Sequence, residues 1–178
     1  MDRKVALLRA VNVGGRKLPM AKLRDLCGRL GWTDLATYIQ SGNLVFSADG
    51  GAAALEDALE KAIEDEFGMD VPTIVRTAAQ WRRYPAGNPF PEAARDEPGR
   101  LMLLLSKRPP HKGAEAALRD RAAAGETIRR SGDALWIHFP NGAGTSKLTP
   151  SLIDRAIGSP ATSRNYRTVT KLLEMVAA

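Results

Sequence analysis

One cysteine and two histidines in 178 residues leave little material for thiol or metal chemistry. Cys27 has no disulfide partner and lies among Leu23, Leu26 and Leu30 at helical spacing, so it reads as a small buried apolar side chain, not a nucleophile. His111 follows Pro109-Pro110 in a loop, His138 alternates with Trp136 in a strand, and neither has a second ligand at metal spacing. No metal, no cofactor and no catalytic constellation are therefore expected. Long apolar runs are missing too. Nothing approaches the ~18 residues of a membrane helix, and the start Met1-Asp2-Arg3-Lys4 leads into only four apolar residues, which excludes a signal-peptide core. Together with the unpaired cysteine this gives a cytoplasmic expectation. Aromatic residues make up only 6% of the chain, too few for a sheet that stacks nucleic-acid bases.

Positive charge is what the sequence has in excess, at a formal +6. Residues 1–47 hold eight Lys/Arg against three Asp/Glu, residues 141–178 hold five against two, and the middle holds thirteen against fifteen. Both ends of the chain are thus basic, and a basic patch attracts anions such as nucleotides, nucleic acid or acidic proteins.

The hydrophobic pattern predicts an α+β fold. Val5–Ala10 reads as a central strand and Met20–Leu30 as a helix. Leu35–Gln40 and Leu44–Ser47 read as a hairpin around Ser41-Gly42-Asn43, Ala52–Phe67 as an amphipathic helix stopped by Gly68, and Val71–Thr77 as a strand. The order β-α-β-β-α-β is the ferredoxin-like split βαβ arrangement. Prolines and charges over residues 88–100 predict a linker between an N-terminal half, 1–87, and a second half, 101–178. That second half reads β-α-β-β-α with Thr149 as a helix N-cap and Gly158 as its stop, then a last helix packing back on the first half. Antiparallel or mixed sheets covered by helices are expected throughout.

Four separated stretches, Leu7–Gly15, Thr37–Asn43, Ser146–Thr149 and Arg164–Lys171, together resemble the bacterial domain-of-unknown-function 1697 family in order and spacing. Ala10 stands where the family usually has Gly, and Tyr166 where it usually has Trp. Ala10 implies a backbone that needs no positive φ there. The resemblance implies an α+β, ferredoxin-like fold and no particular activity.

The candidate site residues come from the basic ends. Gly14-Gly15-Arg16-Lys17 lacks the glycine spacing of a P-loop or a dinucleotide fold, so it is either a weak anion cradle or a plain turn. Arg9 inside a central strand needs a carboxylate, a carbonyl or a ligand. Arg164, Arg167 and Lys171 read as a cationic row at the start of the last helix, where the helix dipole favours an anion. The expectation is one cationic cleft for a phosphate-bearing ligand, built from Arg9, Asn12, Gly14, Gly15, Lys17, Ser146, Lys147, Arg164, Asn165, Arg167 and Lys171, with Gln40, Ser41 and Asn43 orienting it. An enzyme acting on a nucleotide or other phosphorylated metabolite is one alternative, and a protein-interaction module is another.

Overall fold

A computed structural model describes residues 1–178, which divide into two compact units, Met1–Arg82 with Leu172–Ala178 and Arg83–Lys171. In the first unit β1 (Asp2–Leu8), β2 (Thr33–Tyr38), β3 (Asn43–Ala48) and β4 (Thr73–Thr77) form one antiparallel sheet in the order β2-β3-β1-β4. Helices α1 (Met20–Arg29) and α2 (Ala52–Phe67) bury their apolar stripes on one face of it. Leu23, Cys27, Leu59 and Ile63 from the helices meet Ala6, Leu8, Leu44 and Phe46 from the sheet. Each large buried aliphatic contributes roughly 1.5–3 kcal/mol. Burial also pushes the Cys27 thiol up to about 12, so it stays protonated at neutral pH.

Helix α2 does more than cover the sheet. β4 is an edge strand, and its outward N–H groups would otherwise lack acceptors. Glu60 Oε1 accepts from Thr73 N at 2.8 Å and Glu56 Oε1 from Val75 N at 2.8 Å. The same Glu56 oxygen lies 4.0 Å from Nη1 of the buried Arg76. The polar face of an amphipathic helix is ordinarily solvated; here Glu56 lies in the interior and both carboxylates have a structural task. At the opposite edge, β2 carries a register shift between Thr33 and Ala36, with Asp34 at φ +51°.

The chain continues through α3 (Ala78–Ala86), α4 (Pro91–Asp96) and a 3₁₀ turn (Pro98–Arg100). Residues 88–100 are therefore not free of regular structure. Pro91 occupies the first turn of α4, where a missing N–H costs nothing.

The second unit repeats the plan of the first. β5 (Leu101–Ser106), α5 (Ala114–Arg121), β6 (Thr127–Ser131), β7 (Ala134–His138), α6 (Pro150–Ile157) and β8 (Ala161–Asn165) build an antiparallel sheet in the order β6-β7-β5-β8, and α7 (Tyr166–Ala177) follows. Strand β8 corrects the sequence reading of this half. That reading has no strand after α6 and sets Arg164 at the start of the last helix, yet Ala161–Asn165 pairs along β5 from Ser106 to Met102, because strand formation follows the partner more than local propensity.

Aligned by element, the two units share specific contacts. Arg9 N donates to Pro72 O at 3.0 Å, and Lys107 N donates to Pro160 O at 3.1 Å. α2 and α6 both end on a left-handed glycine, Gly68 and Gly158. Asp154 Oδ1 accepts from Ala161 N at 3.1 Å, as Glu60 does from Thr73. Arg76 and Arg164 are both buried, each with Nη1 on the carbonyl oxygen of the preceding residue at 2.9 Å. Thr77 and Asn165 both cap the helix that follows, through Gln80 N and Thr168 N.

Removing the α2 carboxylates tests this edge arrangement. Glu60→Ala strips one acceptor and is expected to cost about 1–2 kcal/mol. Glu56→Ala also leaves Arg76 buried without its carboxylate and should cost about 3 kcal/mol or more. Urea denaturation curves measure both, and equal losses would contradict the interior role of Glu56.

Candidate anion-binding site

Between β1 and α1 the chain makes a small hairpin that the fold does not require. Gly14 and Gly15 both have left-handed backbones, φ +56° and +82°, as a two-residue type I′ turn demands. Arg16 N donates to Val13 O at 3.0 Å, Val13 and Arg16 form an isolated antiparallel bridge, and Asn12 N donates to Arg16 O at 2.6 Å. A Cβ at either glycine would meet nothing within 4 Å, so conformation alone calls for glycine here. The pair turns the chain. The matching β5–α5 connection, residues 107–113, makes the same strand-to-helix crossing without a hairpin.

Asn12 fixes the hairpin to its surroundings. Its Nδ2 donates to Leu18 O at 2.9 Å and to Gln40 O at 2.5 Å, and its Oδ1 accepts from Leu18 N at 2.9 Å. The turn between β2 and β3 is thereby tied to the hairpin. Asn43 closes that turn from inside, donating to Tyr38 O and Ser41 Oγ at 3.0 and 3.1 Å. Gly42, at φ +84°, lies against β1 so closely that a Cβ would come within 2.7 Å of Leu8 and Val11.

Backbone strain gathers in these two loops. Ala10, Asn12 and Ile39 are non-glycine residues at φ +54°, +56° and +50°. Asn tolerates this region, but a β-branched residue there costs on the order of 1–3 kcal/mol. The Ala10 value overturns the inference that its backbone needs no positive φ. The strain is held by Arg16, whose Nε donates to Ala10 O at 2.9 Å and whose Nη2 donates to Asp70 O at 2.5 Å.

An open cavity of about 500 Å³ lies here, lined by Asn12, Gly15, Arg16, Lys17, Pro19 and Gln40. Nη1 of Arg16 has no acceptor in the protein, and the exposed Lys17 ammonium has no partner. Helix α1 begins at the rim with Pro19 as N-cap, no side-chain cap and no acidic residue in its first turn. Two cations and the positive end of a helix dipole thus border one cavity with no carboxylate among its lining residues.

Of the residues expected from sequence in this unit, Asn12, Gly15, Lys17 and Gln40 line that cavity, and Gly14 sits at the hairpin tip. Ser41 and the buried Asn43 belong to the turn behind it. Arg9 is not inside a strand, since β1 ends at Leu8; its N–H ties β1 to the β4 side, and its side chain is half-buried. The residue set expected from sequence omits Arg16 and Val13, although the Gly14-Gly15-Arg16-Lys17 stretch itself reads as a weak anion cradle, and it omits Ile39. The signal for the first two is the Gly-Gly pair flanked by Val13 and Arg16, which is a type I′ hairpin pattern.

The remaining expected residues lie in the second unit. Arg164 and Asn165 belong to β8 and not to the last helix, which starts at Tyr166, so the cationic row on α7 reduces to Arg167 and Lys171. Arg164 is buried, its Nη1 bonding Thr162 Oγ1 at 2.8 Å and Ser163 O at 2.9 Å, and burial lowers its pKa to about 10. Ser146 donates to Glu126 Oε1 at 2.7 Å, accepts from Leu148 N at 3.1 Å, and thereby orders the entry to α6. Lys147 is exposed without a partner, and Thr149 caps α6 as expected. Counted by unit, the positive excess belongs to the second, with fifteen Lys/Arg against eight Asp/Glu, while the first has eleven against twelve. Two of those arginines, Arg121 and Arg155, face one groove between α5 and α6 without protein partners. No group of three or more His, Cys, Asp or Glu is placed to hold a metal ion, and no helix is long and apolar enough to cross a membrane.

Residues 1–136 match the model of the family described as "Protein of unknown function (DUF1697)". The chain belongs to that family. The match covers both cavity loops of the first unit and runs into β7 of the second. Among solved structures, the conserved bacterial protein SP0830 from Streptococcus pneumoniae is similar, with a TM-score of 0.75, 22% identity and 98% of each chain covered. At that identity the likeness is one of fold, and it supports the mixed α+β architecture with two four-stranded sheets. A search of curated proteins found no match.

Two measurements test the geometry within this family member. Asn12→Asp keeps the shape of the side chain but sets a carboxylate against the carbonyl oxygens of Leu18 and Gln40. A loss of about 2–4 kcal/mol in urea denaturation is expected, and a neutral result would contradict the bracing role. Glu126 gives a pH dependence. Burial pushes its carboxyl up, but donors from Ser146 and the backbone outweigh that and hold it below the ordinary 4.5. Its stabilisation is therefore complete above the ordinary value and lost as pH falls through the lower folded value. Ser146→Ala should flatten that acid limb when melting temperature is followed against pH.

Proposed function

We propose that this protein binds a phosphate-bearing anionic ligand, a nucleotide or the backbone of a nucleic acid, in the cavity beside the Asn12–Arg16 hairpin. The observation that carries the reading is the guanidinium of Arg16. Two carbonyls, from Ala10 and Asp70, hold it in a fixed orientation while Nη1 and the neighbouring Lys17 ammonium remain without protein acceptors. A pre-oriented guanidinium loses little entropy on meeting an oxyanion, and its Nη1 is left to donate a charge-assisted hydrogen bond to it. The uncapped start of α1 adds backbone donors and a favourable dipole at the same rim. The comparison of the two units supports it further: the second makes the equivalent connection without a hairpin, so this loop serves something other than the chain's topology.

Pyrophosphate titrated into the protein by calorimetry at low salt tests the reading. Binding should weaken as salt rises, since the contacts are charged. Lys17→Glu reverses one cation and adds no strain at an exposed position, so the fold should hold while affinity falls by about tenfold or more, equivalent to about 1.4 kcal/mol. Wild-type protein that takes up no pyrophosphate at low salt, or a Lys17→Glu variant that binds as well as wild type, would overturn the proposal.

A further inference from the structure

We infer that the ligand of this cavity carries a planar apolar group beside its phosphate, as a nucleoside phosphate does, and that Val13 and Ile39 form the apolar contact; the inference rests on the anion-binding reading above. The fold leaves only four large hydrophobic side chains exposed: Met1, Val13, Leu30 and Ile39. Met1 is the chain terminus and Leu30 caps the end of α1. Val13 and Ile39, 55% and 52% exposed, have no such excuse of position. Each is the chain neighbour of a cavity-lining residue, Val13 of Asn12 and Ile39 of Gln40. The Asn12 Nδ2 to Gln40 O bond joins the two loops directly.

Ile39 is the sharper case. Its φ of +50° is a conformation in which a β-branched side chain collides with its own backbone, and glycine or asparagine would fit there with less strain. Half of the side chain nevertheless faces solvent, so burial returns little for that strain. An isoleucine at this position opposes the local backbone and gains little from the core, which points to a contact made outside the folded chain. Charge narrows what that contact is. Arg16 Nη1 and Lys17 hold the anionic end, and the about 500 Å³ cavity exceeds what a lone phosphate fills but is of the size that takes a small organic ligand. A molecule with both an anionic and a flat apolar end reaches the cations of the cavity and the apolar pair in the two loops beside it; inorganic phosphate or pyrophosphate leaves Val13 and Ile39 in water.

The experiment compares pyrophosphate with ADP, GDP, CDP and UDP on wild type, then on Ile39→Asn and Val13→Ser. Wild type should bind at least one nucleoside diphosphate about tenfold more tightly than pyrophosphate. Ile39→Asn should raise the melting temperature, because it relieves the left-handed strain, and yet lose most of that tenfold preference while holding pyrophosphate within twofold. Val13→Ser should lose preference in the same way without the thermal gain. If every nucleoside diphosphate binds no better than pyrophosphate, or if the Ile39 and Val13 variants keep the full preference, the inference is overturned while the anion site stands. If neither class of ligand binds wild type, the anion site fails and the inference with it.

Discussion

Everything proposed for the first unit depends on one side-chain amide. Asn12 spends both Nδ2 protons and its Oδ1 on backbone groups of Leu18 and Gln40, and its own N–H goes to Arg16. Those four bonds join the hairpin, the entry to α1 and the β2–β3 turn. Without them Ala10, Asn12 and Ile39 would have no reason to remain left-handed, because such conformations persist only where surroundings over-determine them. Arg16 completes the bracing from the other side, reaching Ala10 O and Asp70 O. The cavity is thus made of backbone fixed by side chains, and the guanidinium of Arg16 is positioned by the same bonds that hold the loop.

The two units show which features the plan needs and which are additions. Both use the strand-end tether to a proline carbonyl, the helix carboxylate on the edge strand, the buried arginine and the polar cap on the next helix. These recur because each solves the same problem of unsatisfied backbone groups in a βαββαβ unit. The Gly-Gly hairpin occurs in one unit alone, and the excess positive charge lies in the other. Shared features account for folding; the unshared ones are where binding is to be sought.

Periodic segments were readable from sequence. The stripe Leu55, Leu59, Ile63 and Phe67, the α2 stop at Gly68, the Thr149 cap and the hairpin at Ser41-Gly42-Asn43 all follow from local chemistry. β8 was not readable, since Thr162, Ser163 and Asn165 favour turns and only the buried β5 alongside makes a strand of them. Arg164 went astray with it, read as an exposed helix residue and found inside. The tasks of Glu56 and Glu60 were hidden for another reason: helical spacing shows which residues share a face but not that the face meets a strand edge. At the site, four of the six lining residues were anticipated. Arg16 reads from sequence as one cation of a weak anion cradle, and its orientation is hidden because it depends in part on the carbonyl of Asp70, 54 residues along the chain.

The treatment of the sheet edges bears on how the protein behaves at high concentration. A straight row of free amides invites a second chain to add a strand, the first step toward aggregation. On β4 the outward N–H groups of Thr73 and Val75 are occupied by carboxylates of α2, and on β8 the amide of Ala161 is occupied by Asp154 of α6. β2 breaks its own line with the irregularity at Asp34, and β6 presents the adjacent arginines Arg129 and Arg130, whose charge opposes a copy of itself. The edges are thus blunted by helix carboxylates on β4 and β8, by a backbone irregularity on β2 and by charge on β6, and each of these disfavours addition of a strand from a second copy of the chain.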